Sequence, residues 1–296
     1  MKFFRYLIAF FIIFLLFLIL FELFAYVKNS VHTGESAPYN LFRKDFSIEN
    51  IENNKETHFR KPAGLQYSKP PVVIYGCSYA YGYHLKENQN IGILLSDLSK
   101  RPVYNYSFPS TGLQHALYLI KYTKPVQPAP DYIFYFYIQD QIRRLYVTAS
   151  ELSPYYYFDY KYQNGEMTKN NGVFNLLKNL MLYYYIFDKF IFHKLNQEDN
   201  FNKLKLYLSA MKNELTAKYP EAKFVFVIYD KKFDLAIKFT DEKIQEIKNM
   251  GIDVIDLDKI FGDKLYDKEY RLDDYVHPNE KAWELIAPEL VKIENM

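Results

Sequence analysis

Two short stretches carry side chains that could do chemistry together. In Tyr75-Gly76-Cys77-Ser78-Tyr79-Ala80-Tyr81-Gly82, a serine follows a glycine at the end of an apolar run, Pro70 to Tyr75. A strand that ends in a glycine turn and opens into a helix exposes a hydroxyl. The glycine leaves room for the turn, and the helix start offers backbone N–H donors. A nucleophilic serine needs that geometry together with a base and a place for an oxyanion. Nearly 200 residues on, Asp273-Asp274-Tyr275-Val276-His277-Pro278-Asn279 supplies a candidate base. A carboxylate three residues before an imidazole can hold Nδ1–H and leave Nε2 free to take a serine proton. Gly-x-Ser after a strand is often only a turn, and a lone Asp-x-x-His is common. Their joint presence points to Ser78, His277 and Asp274 as nucleophile, base and orienter.

The elements that must position these residues follow from periodicity. Short runs rich in β-branched and aromatic residues predict strands at Val72–Tyr75, Val103–Tyr106, Tyr132–Tyr137, Lys223–Tyr229 and Asp253–Leu257. Helical patterns lie between them at Gln89–Leu98, Leu113–Tyr122, Phe201–Lys218 and Asp241–Met250, with a last one at Asn279–Lys292. Gly251 reads as a C′ glycine. Such alternation predicts an α/β fold, a three-layer α/β/α sandwich on a five-stranded parallel sheet. Ligands of such sheets bind beyond the C-terminal strand ends, which is where Ser78 falls.

The 296-residue chain divides into residues 1–28, 29–70 and 71–296. Tyr6–Val27 is apolar apart from Glu22 and is long enough to span a bilayer as a helix. Lys2 and Arg5 precede it, which predicts a cytoplasmic N-terminus and an inner-membrane anchor with the remainder of the chain outside. A cleaved signal peptide would have a shorter apolar region and a small-residue cleavage site, whereas the exit here, Leu23-Phe24-Ala25-Tyr26-Val27, is bulky. Residues 29–70 are polar and irregular, a linker and lead-in. The segment 148–200 interrupts the α/β alternation. It contains Pro154-Tyr155-Tyr156-Tyr157-Phe158, a turn signal at Asn164-Gly165 and an apolar helical pattern around Val173–Phe192, and it reads as an insertion whose aromatics pack against the domain.

The single cysteine, Cys77, excludes an intramolecular disulfide and reads as a packing residue beside the serine. A net charge of +2 with scattered basic residues gives no nucleic-acid face. No third ligand accompanies His277 and Asp274 for a metal, and no phosphate loop follows Gly82, so no metal or cofactor is expected.

With these residues in view, the sequence resembles the SGNH/GDSL hydrolases. Gly76-Cys77-Ser78-Tyr79-Ala80-Tyr81-Gly82 is similar to that family's first block, G-D-S-x-x-x-G, with Cys77 in the aspartate position. Asp274-Tyr275-Val276-His277-Pro278-Asn279 is similar to the last block, with Ala282 where glycine is frequent. The resemblance covers roughly residues 70–145 and 220–292. It implies a serine esterase using Ser78, His277 and Asp274. The second block, N-x-G-x-x-G, corresponds to Asn105-Tyr106-Ser107-Phe108-Pro109-Ser110, which puts Ser110 where a glycine N–H would face the oxyanion. The third, G-x-N-D, corresponds to Tyr137-Ile138-Gln139-Asp140, so Gln139 stands where an asparagine amide would donate. Arg143 and Arg144, just after, read as a solvated helix face. The substrates implied are O-acyl esters, for an envelope protein those of glycans. Transfer of the acyl group to a polysaccharide, or a non-catalytic binding domain on the same fold, are the other readings.

Overall fold

The computed structural model of the chain describes residues 6, 10–21, 44–45, 62–109, 111–146, 156–157, 160–169, 196–230, 236–274 and 276–294. At its centre are five parallel strands: β1 (Val72–Tyr75), β2 (Val103–Asn105), β3 (Tyr132–Ile138), β4 (Lys223–Asp230) and β5 (Asp253–Asp256). Their order across the sheet is β2-β1-β3-β4-β5, and each neighbouring pair is parallel. The chain leaves β1 toward β2 on one side and returns to β3 on the other. The crevice at that reversal, beyond the end of β1, is where doubly wound sheets bind their ligands.

Alternation along the strands builds two cores. Val73, Tyr75, Ile133, Tyr135, Tyr137, Phe226 and Ile228 face one side, packed with residues of α3 (Leu113–Tyr122), α5 (Gln197–Lys218) and α6 (Asp241–Asn249). Val72, Ile74, Phe134, Phe136, Val225, Val227 and Tyr229 face the other, packed with α2 (Ile91–Ser99) and α8 (Glu280–Glu294). Strands buried on both faces need apolar residues at every position, which is why β3 reads Tyr-Ile-Phe-Tyr-Phe-Tyr-Ile with no exposed residue. Trp283 of α8 is fully buried, edge-on to Phe136 with ring centroids 5.7 Å apart. This contact docks the C-terminal helix onto the sheet.

Three shorter helices matter below: α1 (Ser78–Tyr81), α4 (Asp140–Arg143) and α7 (Leu257–Phe261). The three-layer sandwich agrees with the periodicity, and the strand ends differ from it by a residue at most. The lead-in begins the domain earlier than residue 71: Ala63 is buried and forms an antiparallel bridge with Val103. In the insertion, Tyr160–Gln163 and Glu166–Lys169 form a hairpin whose turn residues, Asn164 and Gly165, both have positive φ (53° and 85°). That is the turn for which Asn-Gly is suited. The hairpin lies on α5, with Tyr162 5.9 Å from Tyr207 between ring centroids. The expected helix around Val173–Phe192 lies outside the described residues. Residues 10–21 are helical. Among the described residues no helix is long and apolar enough to cross a membrane, and most residues flanking 10–21 in the expected 6–27 span lie outside them.

Candidate active site

The serine is placed by backbone geometry that few sequences allow. β1 runs into Gly76, where a Cβ would stand 2.9 Å from the Ala80 Cβ and 3.1 Å from that of Phe136. Glycine is what lets the turn press this closely on β3. Cys77 is extended (φ −104°, ψ −156°), and Ser78 opens the single turn of α1. The turn ends at Gly82 in the left-handed region (φ 73°), and the Tyr83 N–H donates to Ser78 O at 3.0 Å. Asn105, at the end of β2, braces the turn from below. Its Nδ2 donates to Ala80 O at 2.8 Å and its Oδ1 accepts the Ser107 N–H at 3.0 Å. The Thr111 hydroxyl lies 2.7 Å from Gly76 O and 2.8 Å from Phe108 O, joining the 108–111 loop to the same turn.

The histidine arrives from the other end of the chain on a closed loop. Arg271 and Pro278 form an antiparallel bridge, and Leu272 N–H donates to His277 O at 2.9 Å. Asn279 fastens this loop to α8. Its Nδ2 donates to Glu269 O (2.8 Å) and Arg271 O (3.1 Å), while its Oδ1 accepts the Ala282 N–H in the helix's first turn (3.2 Å). Inside the loop, Asp274 Oδ1 accepts the N–H groups of Val276 (2.8 Å) and His277 (2.9 Å). Asp274 Oδ2 lies 2.6 Å from His277 Nδ1, and His277 Nε2 lies 2.9 Å from Ser78 Oγ. Burial alone would raise the Asp274 carboxyl, but the hydrogen bonds from His277 and Val276 outweigh it and hold it at about 2. With Asp274 accepting from Nδ1–H, Nε2 is left to accept from the hydroxyl. Ser78 is 5% exposed and His277 2%. The rings of Tyr79 and Tyr83 flank the imidazole at 5.4 and 5.3 Å.

Three of the five expected residues thus meet: Ser78, His277 and Asp274. Gln139 does something else. Its Nε2 donates to Ile237 O (2.7 Å) and its Oε1 accepts the Ile237 N–H (3.0 Å). This two-way clamp on the Ile237 backbone engages the amide that the resemblance offered to an oxyanion. Ser110 lies outside the described residues.

The solvated face expected of Arg143 and Arg144 is corrected. Both are buried, and both pair with Asp140, one turn earlier in α4. Burial would raise the Asp140 carboxyl, but the two guanidiniums hold it well below the usual carboxylate range. Arg144 further donates to Thr111 O at 2.6 Å, and Gln114 Nε2 donates to Arg144 O at 2.7 Å, so this pair supports the loop after β2. Cys77 is fully buried, and burial pushes its thiol up despite the Arg144 charge, in keeping with packing rather than nucleophilic work. Asn105 and Thr111 had no role from sequence, although Asn105 heads the second matched block.

A serine, imidazole and carboxylate at these distances can pass the hydroxyl proton to Nε2 while the oxygen attacks an acyl carbon, with Asp274 stabilising the imidazolium. No family model and no curated protein matches the chain. Solved structures similar to it include a member of the lipolytic protein G-D-S-L family from Veillonella parvula DSM 2008 (13% identity, 76% of this chain and 98% of that one, TM-score 0.47). Others are the psychrotrophic esterase EstA from a Pseudoalteromonas species (15%, 76% and 96%, 0.42) and an acetyl xylan esterase, Est2A, from the rumen bacterium Butyrivibrio proteoclasticus (11%, 77% and 63%, 0.46). At such identities and scores, the chain's own side chains carry the functional reading.

Proposed function

We propose that the chain is a serine esterase of SGNH type acting on O-acyl esters. The observation that carries this is the Ser78–His277–Asp274 relay, 2.9 and 2.6 Å between heavy atoms, built from residues 199 positions apart. Ser78 attacks the ester carbonyl as His277 takes its proton. The protonated His277 then donates to the leaving alcohol; in the second half it takes a proton from the attacking water and returns it to Ser78 Oγ as the acid leaves. The backbone N–H groups at the start of α1 are the candidates to stabilise the oxyanion.

The apolar 6–27 segment supports an inner-membrane anchor with the catalytic domain outside the cytoplasm, which favours an O-acylated envelope glycan as substrate. The near-complete burial of Ser78 and His277 favours a site poor in water, so an acyl-enzyme could pass its group to a glycan hydroxyl instead. Only the acceptor differs between the two.

A fluorophosphonate probe and p-nitrophenyl acetate test the proposal on the full chain. Labelling confined to Ser78, with hydrolysis abolished in Ser78→Ala and His277→Ala, is expected. Absence of labelling in folded protein overturns the enzyme reading. Partition of acetyl between water and added glycan separates hydrolysis from transfer.

A further inference from the structure

Arg271 is a buried cation at the one place where the two halves of the relay come together. It is 7% exposed. Its guanidinium lies over three tyrosine rings, 4.9 Å from the centroid of Tyr266, 5.5 Å from Tyr229 and 5.7 Å from Tyr79. Its Nε donates to Leu265 O at 2.7 Å, and Nη1 donates to Val276 O and reaches the Tyr79 hydroxyl at 3.4 Å. Val276 immediately precedes the histidine, and Tyr79 immediately follows the serine. One rigid, planar group therefore holds a neighbour of each reacting residue.

We infer that Arg271 is a positioning residue for the proton relay: it ties the nucleophile turn to the histidine loop and so fixes the Nε2–Oγ contact. The inference rests on the esterase reading for its consequence in rate, but the tether itself is a property of the loop. The loop already closes through the 271–278 bridge, so its outline does not need the guanidinium. What the guanidinium adds is the orientation of the Val276 peptide relative to Tyr79. A misplacement of about 1 Å between reacting groups costs on the order of 10²-fold in rate. Lysine cannot reproduce the contact, because a single ammonium lacks the fork that reaches two carbonyls and lies flat on aromatic faces.

The test uses the full chain with Arg271→Ala and Arg271→Lys. Arg271→Ala should lower kcat on p-nitrophenyl acetate about 10²-fold with KM changed by no more than about twofold. Added guanidinium ion should restore part of kcat, and ammonium should not. A wild-type kcat, or a loss that guanidinium leaves unchanged, overturns the inference. If Arg271→Ala fails to fold, Arg271→Lys decides: a fall in kcat at unchanged KM in folded protein supports the tether, and wild-type kcat overturns it. If the wild type neither hydrolyses esters nor labels with fluorophosphonate, the esterase reading fails by itself. The tether is then read from the nitrogen NMR resonance of His277 Nε2, whose hydrogen-bonded shift reports the contact with Ser78 Oγ. That shift should be present in wild type and lost in folded Arg271→Lys. An unchanged shift overturns the inference.

Discussion

Asp274 grips His277 with both carboxylate oxygens, Oδ1 on the backbone N–H and Oδ2 on the ring Nδ1. One carboxylate thereby sets both the loop's conformation and the imidazole's tautomer. Asp274→Asn keeps the size but offers an amide donor where Nδ1–H must be accepted. By analogy with the serine-protease triad, kcat should fall about 10⁴-fold. Steady-state ester hydrolysis measures it, with circular dichroism to show the fold retained. The carboxyl sits at about 2 in the folded chain against an ordinary value of 3.8. Its contribution to stability is thus complete above about pH 4 and is lost as pH falls through about 2.

His115 makes the opposite kind of buried imidazole. Its Nδ1 accepts the Gly112 N–H at 3.0 Å, and burial, with the Arg144 charge, pulls it from 6.5 to about 3. The unfolded chain therefore binds a proton across that interval that the folded chain refuses. Stability from this group is full above about pH 6.5 and drains away as pH falls toward 3. His115→Gln keeps an acceptor for Gly112 and removes the titration. Its urea midpoint should fall less steeply between those pH values than that of the wild type.

Asn105→Ala removes the brace under the serine turn. It leaves Ala80 O and the Ser107 N–H without their buried partner, at about 1–3 kcal/mol for each unsatisfied group. Urea unfolding should show the loss. Fluorophosphonate labelling of Ser78 should slow as well, because the turn it supports is the one that presents the hydroxyl.

Gln139 distinguishes a clamp from an oxyanion donor. Gln139→Ala should destabilise by about 1–3 kcal/mol through the orphaned Ile237 backbone. At temperatures where the variant remains folded, kcat should change far less than the 10²–10³-fold expected on losing an oxyanion donor. A loss of that size with stability intact would return Gln139 to the chemistry.

The sheet was legible because buried parallel strands must be apolar at every position, and β1, β3 and β4 announce this in runs of β-branched and aromatic residues. Ser78 and the Asp274–His277 pair were legible because their chemistry depends on local spacing within a loop. Side-chain direction was not. Arg143 and Arg144 read as solvated because charge is normally exposed, yet Asp140, one turn earlier, pairs with both, and Thr111 O, 33 residues from Arg144, accepts from its guanidinium only in the folded chain. The clamp made by Gln139 was hidden for a related reason: Ile237, whose backbone it holds, is 98 residues away. Arg271 gave no signal, since its three rings come from residues 79, 229 and 266.

The loop bearing His277 is fastened by Asn279 to the helix that follows it, and that helix docks through Trp283. A growing polypeptide carries its serine early but has no base to activate it until residue 277 has been made and the helix behind it has seated on the sheet. On the proposed reading, the relay is therefore incomplete in a nascent chain until its C-terminal helix has been made and seated.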